Sequence, residues 1–140
     1  MSDEGQQFLF ASAVDADARA LVQHCLTQLG AIAAPYNLGF VYASDRLADD
    51  MPLVLARLQQ AAPAVHWVGT VGLGICSSGQ EVYERPALAI MLGAFPSEAF
   101  RIIPGLLDSP GALPPDLRDW CQAQDYGFAL LHGDPSNPDT

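Results

Sequence analysis

Five stretches of the chain, residues 8–14, 38–43, 65–71, 87–95 and 127–131, are apolar at both alternating phases. Successive side chains of a strand point to opposite faces, so such runs predict strands covered on both sides. Between the first three runs the apolar spacing changes to three and four. Ala18, Leu21, Val22, Cys25, Leu26 and Leu29 make one stripe of a helix. Asp15 or Asp17 stands where its N-cap belongs, and Gly30 where a C-cap glycine belongs. After LGFVYAS (Leu38 to Ser44), a second stripe runs through Met51, Val54, Leu55, Leu58 and Ala62, with Pro52 in its first turn and Pro63 at its end. The order β-α-β-α-β with short connections predicts neighbouring parallel strands joined by right-handed crossovers.

Beyond the third strand the pattern is less regular. Gln80 to Tyr83 reads as a short strand, Ala87 to Phe95 as a long one and Phe100 to Pro104 as another short one. Residues 105–115 carry the glycine and prolines of a loop. Asp116 to Gln124 reads as a helix with Leu117, Trp120 and Cys121 inward, and Tyr126 to Gly133 as a last strand. The expected fold is α/β: a mixed, largely parallel central sheet of about five to seven strands with about three packed helices. Residues 1–6 read as a tail, 7–134 as the domain and 135–140 as a second tail.

Three helices are too few to cover both faces of such a sheet. GFALLHGDPSNPD also repeats the layout of GFVYASDRLADDMP, a strand followed by an acidic helix start, but no helix follows it. Both features lead to the expectation of an uncovered apolar face, met by a second copy in a two-fold dimer or by a missing C-terminal companion region.

Charge narrows the partners. Sixteen acids stand against six basic residues, all arginine, for a net charge of -10. With no basic cluster, neither nucleic acid nor an anionic membrane surface is an expected partner. The start MSDEGQQ lacks the basic region and apolar core of a signal peptide, and no apolar run has the length of a membrane span. Cys25, Cys76 and Cys121 are odd in number and widely spaced, which suits reduced thiols in a cytoplasmic protein and argues against a structural zinc site. Cys25 lies on the buried helix stripe, whereas His24 falls off it.

Candidate chemistry concentrates between the third strand and the run from Ala87. Gly69, Gly72, Gly74 and Gly79 let other groups approach the backbone, and Thr70, Cys76, Ser77, Ser78 and Glu81 supply small polar side chains. Such a segment can hold a small polar molecule, or its glycines can serve only tight turns. It is not a dinucleotide fingerprint, because Ser77 stands in the third glycine's place. It is not a phosphate-binding P-loop either, since the chain has no lysine. The candidate ligand-binding residues are therefore Thr70, Gly72, Gly74, Cys76, Ser77, Ser78, Gly79 and Glu81, with no cofactor and no metal expected. His66 with Cys76, and Glu81 or Asp45 as a third member, form a weak cysteine-enzyme pattern. Asp45, Asp49 and Asp50 are read as a helix-start signal in preference to a metal site.

In order and spacing the chain resembles the N-terminal part of a FIST domain. The resemblance rests on FASAV with an acid-started helix and on LGFVYAS with an acidic helix start. It continues through HWVGTVGLGICSSGQEVYERPALAIML and ends with LLHGDPSNP, covering residues 7–138. It implies a sensory module of intracellular signal transduction that binds small ligands such as amino acids or related metabolites, and a C-terminal companion region that is expected to be missing after residue 140. No catalytic residues follow from it. The functional expectation is a small-molecule sensing domain, not an enzyme. Its alternatives are a protein-interaction module docking through an apolar sheet face and a cysteine-dependent enzyme.

Overall fold

A computed structural model describes residues 8–103, 114–123 and 127–133. The chain divides into two compact units, residues 1–97 and 98–140.

The first unit contains strands β1 (Phe8–Val14), β2 (Leu38–Ser44), β3 (His66–Gly72), β4 (Gly74–Ser77), β5 (Gln80–Tyr83) and β6 (Ala87–Gly93). Helix α1 (Ala18–Leu29) follows β1, and a 3-10 turn (Asp45–Asp50) leads from β2 into helix α2 (Met51–Ala61). The start of α1 is fixed as its sequence suggests: the Asp17 carboxylate accepts the Ala20 N–H at 2.9 Å. At its end, the Gly30 N–H donates to the Leu26 carbonyl at 3.0 Å with Gly30 at φ 70°. The acids before α2 behave differently. Neither Ser44 nor Asp50 makes a side-chain cap bond, and residues Asp45–Asp50 are wound into the 3-10 turn.

β1, β6, β2 and β3 form a four-stranded sheet in that order, and β4 and β5 form a separate hairpin. This corrects the expected sheet of five to seven largely parallel strands. Only β2 and β3 pair in parallel, while β6 runs antiparallel to both β1 and β2. The hairpin is the cause. It turns the chain back after β3, so the following run enters the sheet reversed, between the two strands that α1 connects.

Both helices pack on one face. Leu21, Val22 and Cys25 of α1 and Val54 and Leu58 of α2 join Ala11, Val41, Ala43, Leu88, Ile90 and Leu92 in one buried cluster. The strand residues in it are alternate ones, as the pleat requires. Leu55, expected in the α2 stripe, is 40% exposed instead. Gly69 is needed for β3 to approach β2 closely, because a Cβ there would collide with the Val41 carbonyl.

In the second unit, α3 (Pro115–Gln122) is the described helix. Its Trp120 indole N–H donates to the Glu98 carbonyl at 3.3 Å, and the Arg101 guanidinium stands 5.0 Å from the Trp120 ring. Leu117 and Trp120 are half-buried, but Cys121 is exposed, contrary to expectation. The strands expected at 100–104 and 126–133 are not formed at residues 100–103 and 127–133. Phe128 and Leu131 are 88% and 78% exposed. Apolar composition does not make a strand without a neighbour to complete its hydrogen-bonded ladder. Pro104, most of the expected 105–115 loop, Gln124 and Tyr126 lie outside the described residues, as do the N-terminal tail through residue 7 and residues 134–140. Among the described residues, no helix is long and apolar enough to cross a membrane.

Candidate functional site

The sheet face away from the helices is assembled from the other set of alternate residues. Strand register sets them in rows across β1, β6, β2 and β3. One row is Phe8, Gly93, Leu38 and His66, the next Phe10, Met91, Phe40 and Val68, and the third Ser12, Ala89, Tyr42 and Thr70. The middle row is apolar across all four strands. Phe8, Phe10 and Met91 retain 40%, 45% and 37% of their exposure, and Phe40 and Val68 are half-buried.

Two devices frame this face. At one end, the Asn37 side chain donates to the Phe95 carbonyl at 2.7 Å and accepts the Phe95 N–H at 3.1 Å. The chain leaving β6 is thereby fixed, and the Phe95 ring meets Phe8 edge to face at 5.8 Å. At the other end lies the β4–β5 hairpin. Ile75 and Val82, paired across it, bury themselves against Ala87 and Ala89, with Val14 and Tyr42 alongside. Ser77 shares that inner side and donates its hydroxyl to the Ser12 oxygen at 3.1 Å. Beneath, fully buried Ser44 accepts the Ala87 N–H on its hydroxyl at 3.0 Å. An ion pair between Arg85 and Asp15, together with the Asp15 N–H donating to the Pro86 carbonyl at 2.9 Å, ties the end of β1 to the start of β6. Asp15 holds φ 63°, an uncommon conformation for a side-chain-bearing residue that these bonds maintain.

The residues singled out from the sequence are divided by this arrangement. Thr70 lies exposed on the helix-free face, with its hydroxyl donating to the Val71 carbonyl at 3.3 Å. Gly72 closes β3. The remaining segment is a hairpin, not a loose loop: Ser78 and Gly79, at φ 32° and 83°, form its two-residue turn. Ser77 faces the sheet. Cys76 and Glu81 pair on the opposite, solvent side, as do Gly74 and Tyr83, whose ring lies over the glycine. Thr70 and Ser77 thus border the hydroxyl row, whereas Cys76, Ser78, Gly79 and Glu81 do not converge with them. His66 opens β3 and Gly72 ends it, about 20 Å apart along an extended strand, so His66 and Cys76 are not brought together.

Phe8, Phe10, Phe40, Tyr42, Val68 and Met91 were not among the residues singled out. The signal for them was present in the second apolar phase of each strand. Burial pushes the Cys25 thiol up to about 12, consistent with its place under α1. Among the described residues, no three His, Cys, Asp or Glu side chains gather as a metal site. An open groove of about 610 Å³ on the helix layer is lined by Asp17, Arg19, Gln23, Leu26, Arg57 and Gln60. Its arginines, Arg19 and Arg57, are exposed.

Neither the curated proteins nor the solved structures contain a significant match to the chain. A family model, described as the FIST N domain, matches residues 37–139, from the start of β2 onward. That span is more than half of the chain and contains three of the four sheet strands and the hairpin. The chain belongs to the FIST family, whose domains serve in general as sensory domains in signal transduction.

Proposed function

We propose that this domain binds a small molecule on the helix-free face of its sheet, and that binding is the event it senses. The carrying observation is the juxtaposition of an apolar row, Phe10, Met91, Phe40 and Val68, with a hydroxyl-bearing row, Ser12, Tyr42 and Thr70. A mostly apolar surface with a few placed polar groups is the usual chemistry of a small-molecule site. The ligand class that fits is an amino acid or a related metabolite with an apolar side chain. Its carbon skeleton would lie on the phenylalanines and methionine, and its polar end would reach Thr70, Tyr42 and the Ser12–Ser77 pair at the hairpin wall.

A panel of amino acids and their derivatives, screened by thermal unfolding, tests the proposal. A true ligand present at 100 times its Kd should add about 2.7 kcal/mol to stability. Met91→Asp, which places a charge in the middle of the apolar row, should abolish that gain while the domain remains folded. A gain unaffected by Met91→Asp would locate the ligand elsewhere and sink the assignment. The half-exposed Phe8, Phe10 and Met91 also favour a second reading, in which a protein partner docks on this face. On that reading no small molecule stabilises the domain.

A further inference from the structure

The four-stranded sheet has two edges, β1 and β3, and they are finished differently. On β1, the Gln28 side chain of α1 imitates a neighbouring strand. Its amide donates to the Ser12 carbonyl at 2.8 Å, and its oxygen accepts the Ser12 N–H at 3.3 Å. A side-chain amide spent in this way blunts the edge at its middle.

Among the described residues, no such cover exists on β3. The His66 N–H donates inward to the Asn37 carbonyl at 2.9 Å, so strand alternation turns the amides of Trp67, Gly69 and Val71 outward. Among the described residues nothing bonds the outward N–H groups, and the Val71 carbonyl meets just the neighbouring Thr70 hydroxyl. The strand HWVGTVG contains no proline and no charged residue. It sits within residues 58–80, which hold no Asp, Glu, Lys or Arg, so the net charge of -10 is not concentrated there. Among the described residues, β3 has neither proline, nor charge, nor a side chain that caps its outward groups, the usual protections of an edge strand.

We propose that β3 pairs antiparallel with β3 of a second copy of this chain about a two-fold axis at Gly69, joining two four-stranded sheets into one. The strand is self-complementary in this register. Gly69 meets its own counterpart, and Trp67 meets Val71 of the other copy, twice by symmetry. These are the residues with outward amides, so the three facing pairs exchange about six backbone hydrogen bonds. On the helix side, Val71, 36% exposed, gains an aromatic neighbour in Trp67. On the helix-free side, half-buried Val68 meets exposed Thr70. The apolar row of one copy then continues into the hydroxyl row of the other.

Light scattering and sedimentation of the full chain, from low to high micromolar concentration, should show the mass doubling. Hydrogen exchange should show the Trp67, Gly69 and Val71 amides protected when concentrated and released on dilution. Val71→Pro removes an outward N–H at a position where an edge strand accepts proline, and should leave a folded monomer by circular dichroism. Val71→Lys, whose side chain can reach solvent, should do the same and serves if the proline variant misfolds. Gln28→Ala should leave the dimer intact, since it alters the other edge. A monomer at every concentration would overturn the proposal. So would a dimer that persists in both Val71 variants, one lost in Gln28→Ala, or protection appearing at β1 instead.

Discussion

The two faces of the four-stranded sheet are made by the same strands, yet they have different fates. Under α1 and α2 the alternate residues Ala11, Val41, Ala43, Leu88, Ile90 and Leu92 are nearly or wholly buried. Their neighbours Phe10 and Met91, one position away, remain substantially exposed, while the ends of that face are covered by the hairpin and by the Phe95 ring over Gly93. Both faces are apolar over much of their area, but the polar side chains Ser12, Tyr42, Ser44, His66 and Thr70 all fall on the helix-free one. The crossover helices land on the other. A right-handed connection from β1 to β2, and another from β2 to β3, necessarily puts both helices on the same side.

The sharpest test of this contrast is chemical. Cys25 lies under α1 with its thiol 3.9 Å from the Leu88 carbonyl, whereas Cys76 and Cys121 are exposed. A thiol reagent should modify Cys76 and Cys121 in the folded protein and reach Cys25 only through unfolding. The same burial gives a pH dependence. The Cys25 thiol is raised from 9.0 to about 12, so the folded state keeps its proton where the unfolded chain would lose it. That stability is fully present below pH 9 and lost as pH rises towards 12, at most about 4 kcal/mol. Alkaline unfolding of the wild type against Cys25→Ala measures it: the variant should lose less stability over that window.

Truncation tests the packing of the two faces directly. Leu88→Ala should cost about 2–5 kcal/mol, because it opens a cavity beneath the helices. Met91→Ala, three positions along the same strand on the other face, should cost about 1 kcal/mol or less in chemical denaturation. Equal costs would mean that the helix-free face is covered after all.

Ser44→Ala should cost about 1–3 kcal/mol. It removes the acceptor of the buried Ala87 N–H under the hairpin and leaves that donor unpaired. Ser44→Thr, which keeps the hydroxyl, should recover part of the loss in the same measurement. The smallest effect is expected at the start of α1. Asp17→Ala removes the cap on the Ala20 N–H and should cost about 1 kcal/mol by denaturant titration. A negligible cost would show that packing of the α1 stripe, not its cap, fixes where the helix begins.

Local signals in the sequence carried over well where a short segment suffices to decide the structure. Asp17, the stripe through Cys25 and Gly30 define α1 from its own residues, and the expected bounds of β1 and β2 coincide with those observed. The family could also be read from order and spacing. The candidate site was less legible. Glycines and hydroxyls between residues 69 and 81 drew attention to the hairpin as if it were a loop that closes around a ligand. Strand pairing instead sends Cys76 and Glu81 outward and Ser77 inward. Thr70 lies on the exposed surface that Phe10, Phe40 and Met91 build from distant parts of the chain, and Ser77 borders it from the hairpin.

What the sequence determined by itself is therefore local: which segments are helices, where α1 is capped, which strands are apolar on both phases, and that Cys25 is a core thiol. The tertiary structure decided the rest. It placed β6 between β1 and β2, which a one-dimensional pattern cannot specify, because an antiparallel insertion and a parallel neighbour have the same alternation. It left residues 127–131 outside any sheet although they match the pattern of β2. And it set both helices over one of two largely apolar phases, through the hand of the crossovers, leaving the phase that carries Ser12, Tyr42, His66 and Thr70 without helices.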